Sequence, residues 1–246
     1  MLGCCLWRYR YHEDFLAAAD MTAAMTCPAQ TILNFPSPRP KAGTKPADIS
    51  LDGPPLARPS LRHVLREATQ EIHQRLHRHA GFAAVAAGDI DLLRYRHLLS
   101  RLYGFHRGIE HRLALGVAQS AALAEDLVTL GMDRKTIERL PRCTALPVMD
   151  TQAKRLGALY VIEGAALGGR VLARGLDRLL GTPGVAGRQF FAGQGSQTGA
   201  KWQAFLAELE RCGDDDSEVA DAVTAAQDMF AAFEIWLNGW DMVSDE

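Results

Sequence analysis

His73 stands in "LREATQEIHQRLH", residues 65–77, and Arg66 precedes it by seven positions. On a helix turning 100° per residue, seven positions return to within about 20° of the start, with a rise of about 10.5 Å. One face would then carry an imidazole and a guanidinium two turns apart. Such a pair suits a flat anionic ligand. The imidazole holds a metal at its centre, and the guanidinium meets a carboxylate at its edge. The spacing is equally that of a half-buried core histidine beside an exposed arginine, and this helix alone leaves both readings open. His63, His77 and His79 belong to the more polar faces and are expected in solvent.

The second chemical segment is defined by what it lacks. "LYVIEGAALGGRVLARGL", residues 159–176, places Gly164, Gly168 and Gly169 within six positions, with Ala165 and Ala166 between them. Each glycine inside a helix costs about 1 kcal/mol relative to alanine. Bare helix surface lets another group approach the backbone closely. Helix–helix packing needs one or two such positions, whereas a planar ligand lying on the helix needs the whole patch. Both remain open at this point.

A different chemistry has its own candidates. His63/Glu67 and His106/Glu110 are H-x-x-x-E pairs at helical spacing, and Glu163 lies on the glycine helix. Two such pairs could hold a di-iron or di-manganese centre in a bundle. The Glu-x-x-His spacing usual in those bundles is missing, and His63 and Glu67 point away from the Arg66/His73 face. Five cysteines, Cys4, Cys5, Cys27, Cys143 and Cys212, show no zinc-type spacing and fit free thiols in a reducing cytoplasm. Cys143 and Cys212 read as small buried apolar residues.

The elements that must position these groups are helical. Ser60 is a candidate cap for a helix carrying Leu61, Val64, Leu65, Ala68, Ile72 and Leu76 on one stripe. A second is expected to begin at Asp89 and run towards Leu113. Short ones are expected near 123–130 and 133–140, closed by Pro141. A long helix should open at Asp150, and two more lie near 198–212 and 217–239, the last capped by Ser217. Strand signals are nearly absent, so the fold class is all-α, a single-domain helical bundle over 60–246. Eight of eleven prolines fall between Pro28 and Pro59, which predicts a loosely ordered tail over 1–59. Met21 and Met25 make an over-long translated start one explanation of it.

With 246 residues, 48 % of them hydrophobic, the chain fills a substantial core. A net charge of -2 gives no electrostatic reason to expect nucleic acid or an anionic membrane. No unbroken run of about 18 apolar residues suggests a membrane span, and no secretory signal is visible.

Taken together, "REATQEIH" and "LYVIEGAALGG", in that order and about 90 residues apart, resemble the haem oxygenases. The likeness is closest to the bacterial biliverdin-forming branch often found with phytochromes. It extends over roughly 61–240, and "MFAAFEIWL" (229–237) is similar to the aromatic helix closing that branch. The resemblance implies that His73 is the axial ligand of the haem iron and that Arg66 meets a propionate. Gly164, Gly168 and Gly169 would form the distal wall. Lys201 is the candidate for the second propionate, with Tyr160 as a hydroxyl partner. Ala165 departs from the animal type, which carries a water-ordering aspartate there. The implied reaction consumes haem and O2, needs an external reductant such as a ferredoxin or a separate reductase, and yields biliverdin, carbon monoxide and ferrous iron. A bacterial phytochrome is the implied acceptor of the pigment. A haem carrier that does not cleave haem, and the di-metal bundle, are the alternative readings.

Overall fold

The computed structural model describes residues 58–240 apart from 117, 182, 183, 194 and 196, so the expectation for the proline-rich tail lies outside the described residues. Ten α-helices and one 3-10 turn fill the described chain, and no strand occurs among the described residues.

Helix α1 (Leu61–His77) starts where Ser60 accepts from the His63 N–H at 3.3 Å. Its two first amides are taken up from far away: the Glu210 carboxylate accepts from Leu61 N–H at 3.0 Å and Arg62 N–H at 3.1 Å. Leu61, Leu65, Thr69 and Leu76 form its buried stripe. Helix α2 (Ala80–Ala87) was not anticipated. Its sequence, AGFAAVAA, has no polar face and so no period to read, and His79 caps it by accepting from the Gly81 N–H at 3.2 Å. His79 also lies beside the Phe82 and Trp240 rings, which corrects the expectation of a solvated side chain.

Helix α3 (Leu92–Leu113) is capped by Asp91 rather than Asp89. Ile90 is buried, so the chain dives into the core before the helix begins, and Asp89 instead meets Arg178 at 3.2 Å. Helix α4 (Ala118–Thr129) follows, then α5 (Arg134–Arg139) behind its cap Asp133. The long α6 (Gln152–Gly175) is capped by Thr151 and stops earlier than its sequence suggests, with a separate turn α7 (Asp177–Leu180) beyond it. After the four-residue α8 (Gln189–Ala192) come α9 (Gln197–Leu209), the 3-10 turn Glu210–Cys212 and α10 (Asp216–Leu237). Asp215, not Ser217, caps α10, accepting from the Ser217 N–H at 2.7 Å.

α10 is the keystone. It packs most extensively on α6 and next on α1, while α1 and α6 share no substantial contact among the described residues. Close approach of α10 to α6 depends on small residues. A β-carbon at Gly157 would fall 2.0 Å from the Ala222 carbonyl oxygen, so no side chain fits there.

Candidate functional site

α10 touches both α1 and α6, which share no substantial contact with each other among the described residues, so the two helices stand apart as the sides of a candidate slot. On the α1 side, α10 grips through positions spaced i, i+3 and i+7. Gln227 Nε2 donates to the Ala68 carbonyl at 3.0 Å. The Phe230 ring lies 6.1 Å from the His73 ring. Glu234 accepts from Arg75 through both carboxylate oxygens, at 2.9 and 3.0 Å, a fork-to-fork pair that fixes rotation as well as distance. His73 is thereby held half-buried, with the exposed His77 ring edge-on to it at 4.5 Å.

On the α6 side the glycines divide by what surrounds them. Gly157 meets α10. Gly175 meets α2, where a β-carbon would lie 1.9 Å from the Val85 carbonyl oxygen. Gly169 is buried against α8, with the Phe191 carbonyl 3.1 Å from such a carbon, so packing alone accounts for it. Gly164 is different. It shares the face of Gly157 to within about 20° two turns on, yet only the tip of the Trp202 ring comes within 4 Å of where its β-carbon would stand, at 3.8 and 3.9 Å. An alanine would fit, so nothing in the protein's own packing demands a glycine there. Gly168 is half-buried and Ala165 exposed, about a turn along. α6 is long and apolar enough to cross a membrane, a property the search for unbroken apolar runs does not register because glycines and Glu163 interrupt it. Only 28 % of its most apolar stretch is buried.

The rim of the slot is basic. Burial raises the Tyr160 hydroxyl above the usual phenol range, and the charges of Arg62 and Arg66 pull it back, which puts the start of α1 opposite this part of α6. Burial also raises the Glu163 carboxyl, and Lys201 on α9 opposes that rise. Arg66 and Lys201 are themselves exposed. Between them stands a residue that the sequence reading passed over: Trp202, 6 % exposed, with its ring 5.7 Å from Tyr160 and 5.6 Å from Phe205. Its indole N–H is buried without a hydrogen-bond partner. A tryptophan three residues before a phenylalanine, on the same helix as the buried Leu206 and Leu209, was the available signal.

The alternative metal pairs come apart. His63 and Glu67 form a 3.4 Å pair on the surface. Glu110 is committed to capping α4: it accepts from Gln119 N–H at 3.1 Å, Ser120 N–H at 3.0 Å and the Ser120 hydroxyl. His106 is buried among aromatic rings, 5.0 Å from Phe190, and desolvation lowers its imidazole to about 4. No group of three or more His, Cys, Asp or Glu side chains is placed to hold a metal among the described residues. Cys143 and Cys212 are buried free thiols whose ionisation burial opposes.

Two solved structures share this arrangement of helices. One is a haem oxygenase from Leptospira interrogans, with a TM-score of 0.59 and 20 % identity, covering 75 % of this chain and 100 % of that one. The other is a domain of unknown function from Shewanella denitrificans OS217 described as having a haem oxygenase-like fold. Its TM-score is 0.62 at 13 % identity, over 76 % and 98 % of the two chains. The fold is thus of the haem oxygenase type. The sequence comparison goes further. The family model described as "Heme oxygenase" matches residues 60–239. A haem oxygenase from Xanthomonas campestris pv. campestris strain 8004 is 32 % identical over 154 residues, 61 % of this chain and 92 % of that protein. The chain belongs to the haem oxygenase family.

Proposed function

We propose that the slot between α1 and α6 takes haem and that the chain cleaves it oxidatively to biliverdin, carbon monoxide and ferrous iron. The observation that carries this reading is the apolar face of α6 at Gly164, with room for a β-carbon and none present, in a bundle whose α1 carries a half-buried histidine. The residues fit the group. An apolar ring with two carboxylates needs an apolar wall, one metal ligand and donors at one rim. α6 supplies the wall and His73 the ligand. Arg66, Arg62, Lys201 and the Tyr160 hydroxyl supply donors.

Bound haem contributes both the iron at which oxygen is reduced and the porphyrin that is cut. His73 is the residue that would hold the iron, and the hold of α10 on α1 fixes the helix that carries it. Gly164 and Gly168 would keep this face of α6 free of side chains, leaving room for oxygen beside the bound group. Ala165 offers no side chain to order water, so ordering there falls to the backbone of α6. Arg66, Tyr160 and Lys201 fix the rotation of the ring through its carboxylates. Electrons would come from outside the chain, from a ferredoxin or a separate reductase. The proposal extends to a cytoplasmic protein of the phytochrome-associated branch supplying biliverdin to such a receptor. The similarity of "MFAAFEIWL" to that branch and the two buried free thiols support it.

One titration tests the reading. Haemin added to the protein should give a Soret band that disappears, with biliverdin absorbance rising, once ferredoxin and its reductase are supplied. A Soret band that persists under reductant and oxygen would identify a haem carrier instead. No Soret band, with two metal ions per chain by elemental analysis, would identify the di-metal enzyme.

A further inference from the structure

Away from the slot, a run of four consecutive residues is fixed from four different helices. Tyr95 of α3 donates its hydroxyl to the Gly187 carbonyl at 2.8 Å. Arg188 reaches back to the end of α6, donating to the Ala173 carbonyl at 2.9 Å and the Leu176 carbonyl at 3.5 Å, and it also bonds the Gly181 carbonyl and the Asp177 carboxylate. Asp126 of α4, fully buried, accepts from the Gln189 N–H at 2.7 Å and the Phe190 N–H at 2.9 Å. The next residue, Phe191, lays its backbone on Gly169. A four-residue helix has almost no stability of its own. The position of α8 therefore comes from these anchors and not from its own turn.

Gly169 lies about 140° round the helix from Gly164, and its neighbour Gly168 is half-exposed. A helix with so few side chains on that stretch is located by what presses on it from behind. Glycines transmit displacement directly to the backbone, because no side chain intervenes to absorb it.

We propose that Asp126 is a positioning residue for the distal wall: by holding the 187–190 turn against α6 it sets where Gly168 stands, and thereby which edge of the haem ring is cut. This rests on the haem-cleaving reading above. The carboxylate is needed because two adjacent backbone N–H groups converge on it, and an amide at that position accepts through one oxygen only. Asp126 touches neither haem nor oxygen, so its influence runs through Phe191 and Gly169.

The experiment compares Asp126→Ala, Asp126→Asn and Tyr95→Phe with Glu110→Gln, which weakens an equally buried carboxylate cap at the start of α4. Hydrogen exchange is measured on the haem-free proteins. Asp126→Ala should speed exchange at least tenfold across residues 168–175 while leaving 152–161 at the wild-type rate, and Tyr95→Phe should do the same to a smaller extent. Glu110→Gln should leave both segments unchanged even if it melts earlier. With haem and reductant, the ratio of biliverdin isomers should shift in Asp126→Ala, less in Asp126→Asn, and not at all in Glu110→Gln. Unaltered exchange across 168–175 in Asp126→Ala overturns the proposal, as does an unaltered isomer ratio. If Asp126→Ala does not fold, Asp126→Asn and Tyr95→Phe decide by the same two readouts. Failure of the wild type to form any biliverdin would instead refute the haem-cleaving reading, and the exchange measurement, which needs no haem, would still decide whether Asp126 locates α6.

Discussion

Replacing Gly164 and Gly157 by alanine, each alone, separates function from packing on one face of one helix. In the haem-free protein a methyl at 164 would stand 3.8 Å from the Trp202 ring, an ordinary contact. Relief of the glycine penalty in a helix interior then contributes about 1 kcal/mol. For a domain of this size that raises Tm by about 2–4 °C. At 157 the methyl would stand 2.0 Å from the Ala222 carbonyl oxygen and 2.8 Å from its Cα. Backbone lies on both sides, so α6 and α10 must separate, and overpacking of this kind costs about 1–3 kcal/mol or more. Gly157→Ala should therefore melt lower than wild type and Gly164→Ala higher. Haem reverses the ranking. The methyl at 164 enters the slot, and Gly164→Ala should bind haemin about tenfold more weakly, the scale of a 1.4 kcal/mol intrusion. Paired calorimetric melts of the haem-free proteins and Soret titrations measure both. A Gly164→Ala protein that melts below wild type and binds haemin with full affinity would show that the glycine serves packing, and the argument for the distal wall would fall.

His73→Ala should abolish biliverdin formation while the haem-free melt stays within a few degrees of wild type; undiminished turnover without added imidazole would remove His73 as the axial ligand. Arg66→Ala should weaken haem binding roughly tenfold, as expected for an exposed charge-assisted contact of about 1–2 kcal/mol, and an unchanged Soret titration would refute that role. His106 and Asp126 predict a cancellation in acid. The His106 imidazole, lowered to about 4 from 6.5, contributes stability that is present above pH 6.5 and is lost as pH falls through 4. Asp126, raised to about 6 from 3.8 mainly by burial, contributes stability that is present below pH 3.8 and is lost as pH rises through 6. Each effect is about 3 kcal/mol, of opposite sign. His106→Phe should thus melt progressively higher between pH 7 and 4 relative to wild type; parallel melting curves across that range would disprove the balance.

Helices with a polar and an apolar face were legible in the sequence, because a stripe such as Leu61, Leu65, Ile72, Leu76 has one helical period and no other. α2 was not, because alanine on every side leaves no face to find. α8 was not, because Asp126, 63 residues away, holds it in place. The caps slipped by two residues where two acceptors stood close together, as with Asp89 and Asp91, and burial of Ile90 decided between them. At the candidate site, His73, Arg66 and Tyr160 were named from spacing and family motif; in the structure Arg66 lies within reach of the Tyr160 hydroxyl's electrostatics and His73 beside Phe230 of α10. The division of the α6 glycines was out of reach, since Gly157, Gly169 and Gly175 differ from Gly164 only through Ala222, Phe191 and Val85, none of them near in sequence. Trp202 had a signal in its spacing to Phe205, but its unpaired N–H is a fact about surroundings.

The carboxylate of Glu210 on the first two amides of α1 has a consequence for the order of assembly during synthesis. α1 is among the first helices of the domain to leave the ribosome, yet the cap for its opening turn is encoded 149 residues later, and its grip on α10 comes later still. At about 5–20 residues per second, the histidine helix waits of the order of ten seconds for the parts that locate it. α6 and its neighbours α2 and α8 are complete before then. On the proposed reading, the helix offered as the haem wall is therefore made first and the helix carrying His73 is located last, so a nascent chain would hold haem by His73 only once nearly the whole domain has been made.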